Sequence, residues 1–359
     1  MAITMDFLLQ TMIDRGASDL LVHSHTPPQL RVHSRMVALD YPALTAEDSK
    51  AIIYSNLTEQ EIKRFEEKKE LDKGYGSVDD ELSARFRMNV FYHRGAVCAA
   101  IRSVPIRIPS FEELGLPDEQ MSALCRQRRG MVLITGATGA GKTTTLAALV
   151  NKINIERNCH IVTVEDPIEV VHKNINSVIS QRQVGEDTHT FADALKYVLR
   201  QDPDVILIGE MRDLETIQAA LNIAETGHLV FATLHTSDCV QTINRIIDVF
   251  PASQQAQVRT QLSYVLLATV SQQLIRNTNG DGRCLAYEIM LENFGIKAMI
   301  REEKVHQIFS SIQTGSKDGM RTMNQTLYEL YKQGKITYQE ASAHVTDSED
   351  FKRFFKSAK

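Results

Sequence analysis

The sequence predicts an α/β protein in two parts, a small α+β domain followed by a larger domain built on a parallel-rich sheet. Three observations carry this. A chain of 359 residues exceeds what one hydrophobic core usually organises. Beyond residue 130, the apolar runs MVLIT, HIVTV, VILIG and HLVFATL alternate with helical stretches, the pattern of parallel strands covered on both faces. Ahead of them, Pro105, Pro109, Gly115 and Pro117 punctuate PIRIPSFEELGLP, which excludes a continuous helix and shows no strand alternation.

In chain order, residues 5–15 carry a helical pattern and residues 20–23, 29–32 and 85–92 are β-like, broken by Thr26-Pro27-Pro28 and Gly74-Tyr75-Gly76. This predicts a first domain over residues 1–104, a linker over 105–117 and a second domain over 118–359. From about residue 295 the second domain reads as helical, with apolar spacing over 322–331 and a charged end, KRFFKSAK.

The composition, 43% hydrophobic and 24% charged, is that of an ordinary folded chain. A net charge of -5 supplies no basic field for nucleic acid. No apolar stretch is long enough to span a bilayer, and the acids of MAITMDFLLQTMIDRG do not suit a secretory signal, so cytosolic residence is expected. Cys98, Cys125, Cys159, Cys239 and Cys284 are scattered and form no zinc spacing.

The chemistry lies just after the apolar runs, where ligands bind in such sheets. Gly136-Ala137-Thr138-Gly139-Ala140-Gly141-Lys142-Thr143 follows MVLIT and opens a helix, satisfying the phosphate-loop pattern GxxxxGK[ST]. Its glycines turn backbone N–H groups toward phosphate oxygens, Lys142 neutralises the β- and γ-phosphates, and the Thr143 hydroxyl is placed to ligate Mg²⁺. Thr138, Ala140 and Thr144 complete the expected nucleotide contacts.

The run DVILIGE ends in Glu210, a candidate to orient and deprotonate an attacking water. Gly209 stands where many P-loop proteins carry a metal-binding aspartate, so metal ligation leans on Thr143 and water. The competing reading makes Glu210 the cap of a helix beginning near Leu214. Glu165, Asp166 and Glu169 follow HIVTV; acids beside a triphosphate repel it unless they bind Mg²⁺ or polarise water, and the alternative is a solvated loop. Glu165 is taken as a second catalytic candidate and a metal ligand. His228 starts the strand HLVFATL and His235 follows it, ~20 Å or more apart at ~3.3 Å per residue, too far to share one metal. His235 is placed to sense the γ-phosphate, whereas His228 reads equally as structural.

These residues, with GATGAGKT, TVEDPIE, RQDPDVILIGEMRD and TGHLVFATLHT in that order, resemble the type IV pilus retraction ATPases, the PilT group of the secretion ATPase superfamily. The resemblance covers nearly the whole chain. SDLLVHSHTPPQLRVHSR looks like the opening of that family's PAS-like domain. Gly295-Ile296-Lys297-Ala298-Met299-Ile300-Arg301-Glu302 keeps the end of the family's AIRNLIRE-like helix and departs in its first half, which leaves room for the close relative PilU. The extra domain and tetracysteine motif of extension ATPases do not appear.

The resemblance implies a RecA-like ATPase domain preceded by a PAS-like domain, with ATP and Mg²⁺ as cofactors. It further implies a homohexamer at the cytoplasmic face of the inner membrane, held there only by protein contacts: docking on the platform protein PilC, with a PilU-like paralogue as a further partner. In that family the first domain supplies arginines to the nucleotide. The matching candidates are Arg85, Arg87, Arg102 and Arg107, with surface salt bridging as the alternative. Two other classes compete: a P-loop regulator without substantial turnover, and a DNA-translocating RecA-like motor, against which the acidic balance counts.

Overall fold

The computed structural model describes residues 3–32, 35–75, 85–104, 107–280 and 282–356. Gly76 of the expected break, Pro105 and Ile106 of the expected linker and the last three residues of KRFFKSAK lie outside the described residues. Packing divides the chain into two units. One is residues 1–107 together with Pro167–Val171, and the other is Ile108–Asp166 with His172–Lys359.

The first unit holds a six-stranded sheet made of β1 (Asp19–Val22), β2 (Gln29–Val32), β3 (Arg35–Ala38), β4 (Glu70–Tyr75), β5 (Arg85–His93) and β6 (Ala96–Val104). The strands are ordered β3-β2-β1-β6-β5-β4, and every neighbouring pair is antiparallel. Strand periodicity decides its faces. Phe86, Met88 and Val90 of β5 point into a core with Leu8, Leu20, Ile53 and Phe65. Arg85 and Arg87 take the other face, and Arg87 stands opposite Arg102 of β6. Helices Ala46–Tyr54 and Glu59–Lys68 start with reciprocal capping boxes, Thr45 with Asp48 and Thr58 with Glu61, each satisfying two backbone donors.

The second unit is a seven-stranded sheet of β7 (Gly130–Thr135), β8 (His160–Glu165), β9 (Val178–Gln183), β10 (Val205–Ile208), β11 (Leu229–Leu234), β12 (Leu266–Arg276) and β13 (Arg283–Leu291). Its order is β13-β12-β7-β11-β10-β8-β9. All neighbours are parallel except the edge pair β12 and β13. The four apolar runs are thus the four central strands. Alternate residues of each feed opposite faces: Met131, Leu133, Val162, Ile206 and Val230 enter one core, and Val132, Ile134, Ile161, Leu207 and Phe231 enter the other. That two-sided burial is why the runs show no polar alternation.

The proline-rich stretch is not a free connection from Ile108 on. Ser110 and Glu113 box the short helix Phe111–Leu114, which ends at Gly115 in the left-handed region. Phe111 and Leu116 then pack into the second core. Beyond β13 the main elements are helices: Phe294–Arg301, Ile308–Thr314, Met323–Lys332, Tyr338–Ala343 and Ser348–Lys356. The last three close a small cluster in which Met323, Leu327, Ala341 and Phe351 cover Ile275 and Ala286.

Candidate active site

Register places the carboxyl ends of four strands side by side. Leu234 of β11 pairs with Thr135 of β7, and Ile208 of β10 pairs with both Ala232 of β11 and Val164 of β8. Gly136, His235 and Gly209-Glu210 follow those ends, and Glu165 is the last residue of β8.

Gly136, Gly139 and Gly141 have φ of 141, 80 and 89°, values that side chains disfavour. At Gly136 a Cβ would also stand 2.4 Å from the Gln272 carbonyl oxygen. The helix Lys142–Glu156 begins at Gly141 with no side-chain cap, so its first N–H groups face the loop with the positive end of the helix dipole. Lys142 is buried, and its Nζ donates to the carbonyls of Gly136 (2.7 Å) and Ala137 (3.1 Å). Burial pushes its pKa below the usual lysine value, and the charge of Glu210 acts against that. A cradle that only glycine fits, an uncapped helix start and a cation folded over the loop fit a polyphosphate.

Thr143 is half-buried, while Thr138 and Thr144 are exposed and Ala140 is buried. Two buried residues of β12 support the loop. Ser271 Oγ lies 2.7 Å from Thr135 Oγ1, and Gln272 Nε2 donates to Thr145 Oγ1 at 2.8 Å.

Glu210 is held by Arg212, whose Nε and Nη2 reach Oε1 and Oε2 at 2.5 and 2.7 Å, and by His235, whose Nε2 is 3.0 Å from Oε1. Burial works to raise the Glu210 carboxyl pKa, but the Arg212 hydrogen bonds and the charges of His235 and Arg212 outweigh it and hold it below the usual value. The carboxylate is therefore ionised at neutral pH. The capping alternative fails, because the helix Leu214–Glu225 is capped by Asp213, whose Oδ1 accepts from Thr216 N at 2.9 Å. Gly209 has a steric reason: a Cβ there would lie 3.1 Å from the Val164 carbonyl oxygen and 3.3 Å from Glu165 Cα.

Glu165 Oε1 accepts from Thr163 Oγ1 at 2.6 Å and from Gln181 Nε2 at 3.1 Å. The three acids do not stay together as expected. Glu169 belongs with the first unit, where it lies 3.7 Å from Arg87 Nη1. His228 precedes β11 rather than starting it, and its Nδ1 sits 3.2 Å from both Thr226 Oγ1 and the Ile223 carbonyl, at the end of the strand away from Glu210.

The candidate arginines lie on the first unit. Arg85 Nη2 donates to the Ile168 carbonyl at 3.0 Å, Arg87 reaches Asp72 at 3.4 Å, and Arg102 Nε reaches Asp19 at 2.9 Å. Arg107 is exposed. Arg212, Gln181, Ser271 and Gln272 are the residues sequence reasoning missed. Only Arg212 carried a signal, a guanidinium two positions after an expected base.

The chain matches the family described as Type II/IV secretion system protein over residues 6–348. It is 43% identical over 344 residues to the Type IV pilus retractation ATPase PilT of Pseudomonas aeruginosa, covering 96% of this chain and 98% of that one. To the Type IV pilus ATPase PilU of the same organism it is 39% identical over 349 residues, covering 97% and 90%. The crystal structure described as the pilus retraction motor PilT with bound ADP superposes with a TM-score of 0.91 at 46% identity, covering 98% of this chain and 99% of that one. A phosphate loop, a glutamate at the same sheet edge and this likeness along the whole chain lead to one conclusion: the chain belongs to the Type II/IV secretion system protein family, among its pilus retraction ATPases of the PilT kind.

Proposed function

We propose that this retraction ATPase cleaves ATP at the carboxyl edge of its parallel sheet, with Glu210 as the base that takes the proton of the attacking water. The backbone N–H groups of the loop and the start of its helix, together with Lys142, bind the phosphates. Lys142 leaves its two carbonyl partners to do so. Glu210 orients the water and accepts its proton as the oxygen bonds to the terminal phosphorus, and ADP departs with the electrons of the cleaved bond. His235 steadies Glu210 from the end of β11. Glu165, fixed by Thr163 and Gln181, and the Thr143 hydroxyl supply oxygen donors suited to Mg²⁺. When bound, that ion neutralises charge developing on the phosphate oxygens.

The observation that supports this reading above others is the place of Glu210, which follows β10 at the same sheet edge as the glycine loop and is held there by Arg212 and His235. Glu210→Gln keeps shape and reach but removes the proton acceptor. A fall in kcat of roughly 10²- to 10⁴-fold with nucleotide affinity retained is expected. Turnover within a few-fold of wild type would move the base elsewhere, to Glu165 first.

The name of the Pseudomonas aeruginosa relative supports work in pilus retraction, and we extend it to a homohexamer. That hexamer docks on the platform protein PilC at the cytoplasmic face of the inner membrane, with Arg85, Arg87, Arg102 and Arg107 reaching nucleotide. Among the described residues no helix is long and apolar enough to cross a membrane, which suits attachment through protein contacts. Sedimentation at the mass of a single chain in the presence of ATP and Mg²⁺ would count against the hexamer, and failure to co-purify with PilC against the docking.

A further inference from the structure

Glu210 is engaged from two sides, by the fork of Arg212 and by His235. An ionised carboxylate offers about four acceptor positions, and the fork takes two of them and His235 a third. With the guanidinium charge also lowering its basicity, Glu210 is a poorer base for a water until one partner moves. The two partners differ in freedom. His235 is 40% exposed and directly follows β11, whereas the Arg212 side chain is 77% exposed on an irregular connection. The backbone beneath it is pinned, with Met211 buried and its N–H donated to the Thr233 carbonyl at 3.0 Å. Arg212 is therefore a solvent-exposed cation on a pinned backbone, held among the described residues only through its fork.

Its electrostatic surroundings favour movement on ligand binding. Arg212 feels Glu210 and Asp166, and Glu210 in turn acts on Lys142 of the phosphate loop. A polyphosphate bound by Lys142 brings negative charge into that neighbourhood, and the geometry that forks a carboxylate forks a phosphate equally well. We propose that Arg212 senses the terminal phosphate. It locks Glu210 while no nucleoside triphosphate is bound, then transfers its fork to the terminal phosphate and frees Glu210 to accept the proton. This rests on the reading of Glu210 as base. It makes Arg212 a positioning residue that separates triphosphate from diphosphate, because a diphosphate lacks the group to which the fork transfers.

The test is a double-variant cycle of affinities in the full-length protein with Mg²⁺, measured calorimetrically for ADP and for a non-hydrolysable imido analogue of ATP. Arg212→Ala is expected to bind the analogue roughly 10- to 100-fold more weakly, the usual worth of charge-assisted bonds to phosphate, with ADP affinity changed less than about twofold. Glu210→Ala should bind the analogue several-fold more tightly than wild type, since no ion pair has to break first, and the double variant should lose that gain. Arg212→Lys, which keeps the charge without the fork, should recover only part of the loss. An equal effect of Arg212→Ala on both ligands, no effect on either, or a Glu210→Ala gain that persists without Arg212 overturns the proposal. Turnover by Glu210→Gln would instead sink the base assignment and leave this binding cycle to report on Arg212 alone.

Discussion

The two edges of the parallel sheet are built from the same strands and similar residue types, yet their polar side chains do different things. At the amino ends they tie down backbone. His160 Nδ1 meets the Gln201 carbonyl at 3.0 Å, His160 N donates to Asp204 at 2.9 Å, and Arg157 Nη1 donates to the carbonyls of Cys125 and Gln127 at 3.0 and 2.9 Å. At the carboxyl ends Arg212, Glu210 and His235 hold one another, Lys142 rests on two carbonyls of the loop it is to serve, and a helix start is left uncapped. A polar cleft of about 670 Å³ lies at the amino edge, lined by residues including Arg128, Arg157, Asp204 and His228. Cavity size does not mark the chemistry here. The difference is whether a polar group is spent on its own fold or kept for a ligand.

The largest effect that follows from this contrast is at Lys142. Lys142→Ala removes the side-chain cation of the loop and leaves phosphate charge to backbone dipoles. Nucleotide binding should fall below detection in equilibrium titration, and near-wild-type affinity would refute the loop assignment. Next come the two histidines that flank β11. His235→Ala is expected to lower kcat by roughly 10²-fold through loss of support for Glu210. His228→Ala should leave kcat within about twofold and cost about 1 kcal/mol of stability. Equal kinetic effects would erase the distinction between the edges.

A third effect is on stability against pH. Burial lowers His172 from an ordinary 6.5 to about 4, so the unfolded chain takes up the proton first. The corresponding stability is present above pH ~6.5 and is lost as pH falls toward 4, about 3 kcal/mol over the window. His172→Gln should flatten the pH dependence of Tm in that window, and an unchanged slope would reject His172 as its source. The smallest effect is at Asp213, where Asp213→Ala should remove about 1 kcal/mol as a lost cap with turnover intact. A large fall in kcat there would mean that the cap and the base cannot be separated as the geometry implies.

The central strands and the motifs after them were legible because burial on both faces writes itself as an unbroken apolar run. β12 was not legible, although it supports the phosphate loop. Its buried Thr269, Ser271 and Gln272 interrupt the run, since their hydrogen bonds rather than apolar area make them tolerable inside. β4 lies in a mixed-polarity stretch, β6 opens on an apolar run rich in alanine, a residue with little strand preference, and β3 is exposed throughout. Glu169 was misplaced because nearness in sequence to Glu165 says nothing about which core a segment joins, and Pro167–Val171 joins the first unit. Arg212 was missed for a related reason: a spacing of two puts side chains on one face only within a strand, and Glu210 and Arg212 lie beyond the end of β10, where the spacing hints at a pair and geometry alone shows the fork.

Gly209 also ties two neighbouring strands together. A Cβ there would stand 3.1 Å from the Val164 carbonyl oxygen and 3.3 Å from Glu165 Cα, so any side chain at this place needs the β8 backbone to give by a few tenths of an ångström. A substitution at Gly209 is therefore at the same time a change in where Glu165 stands.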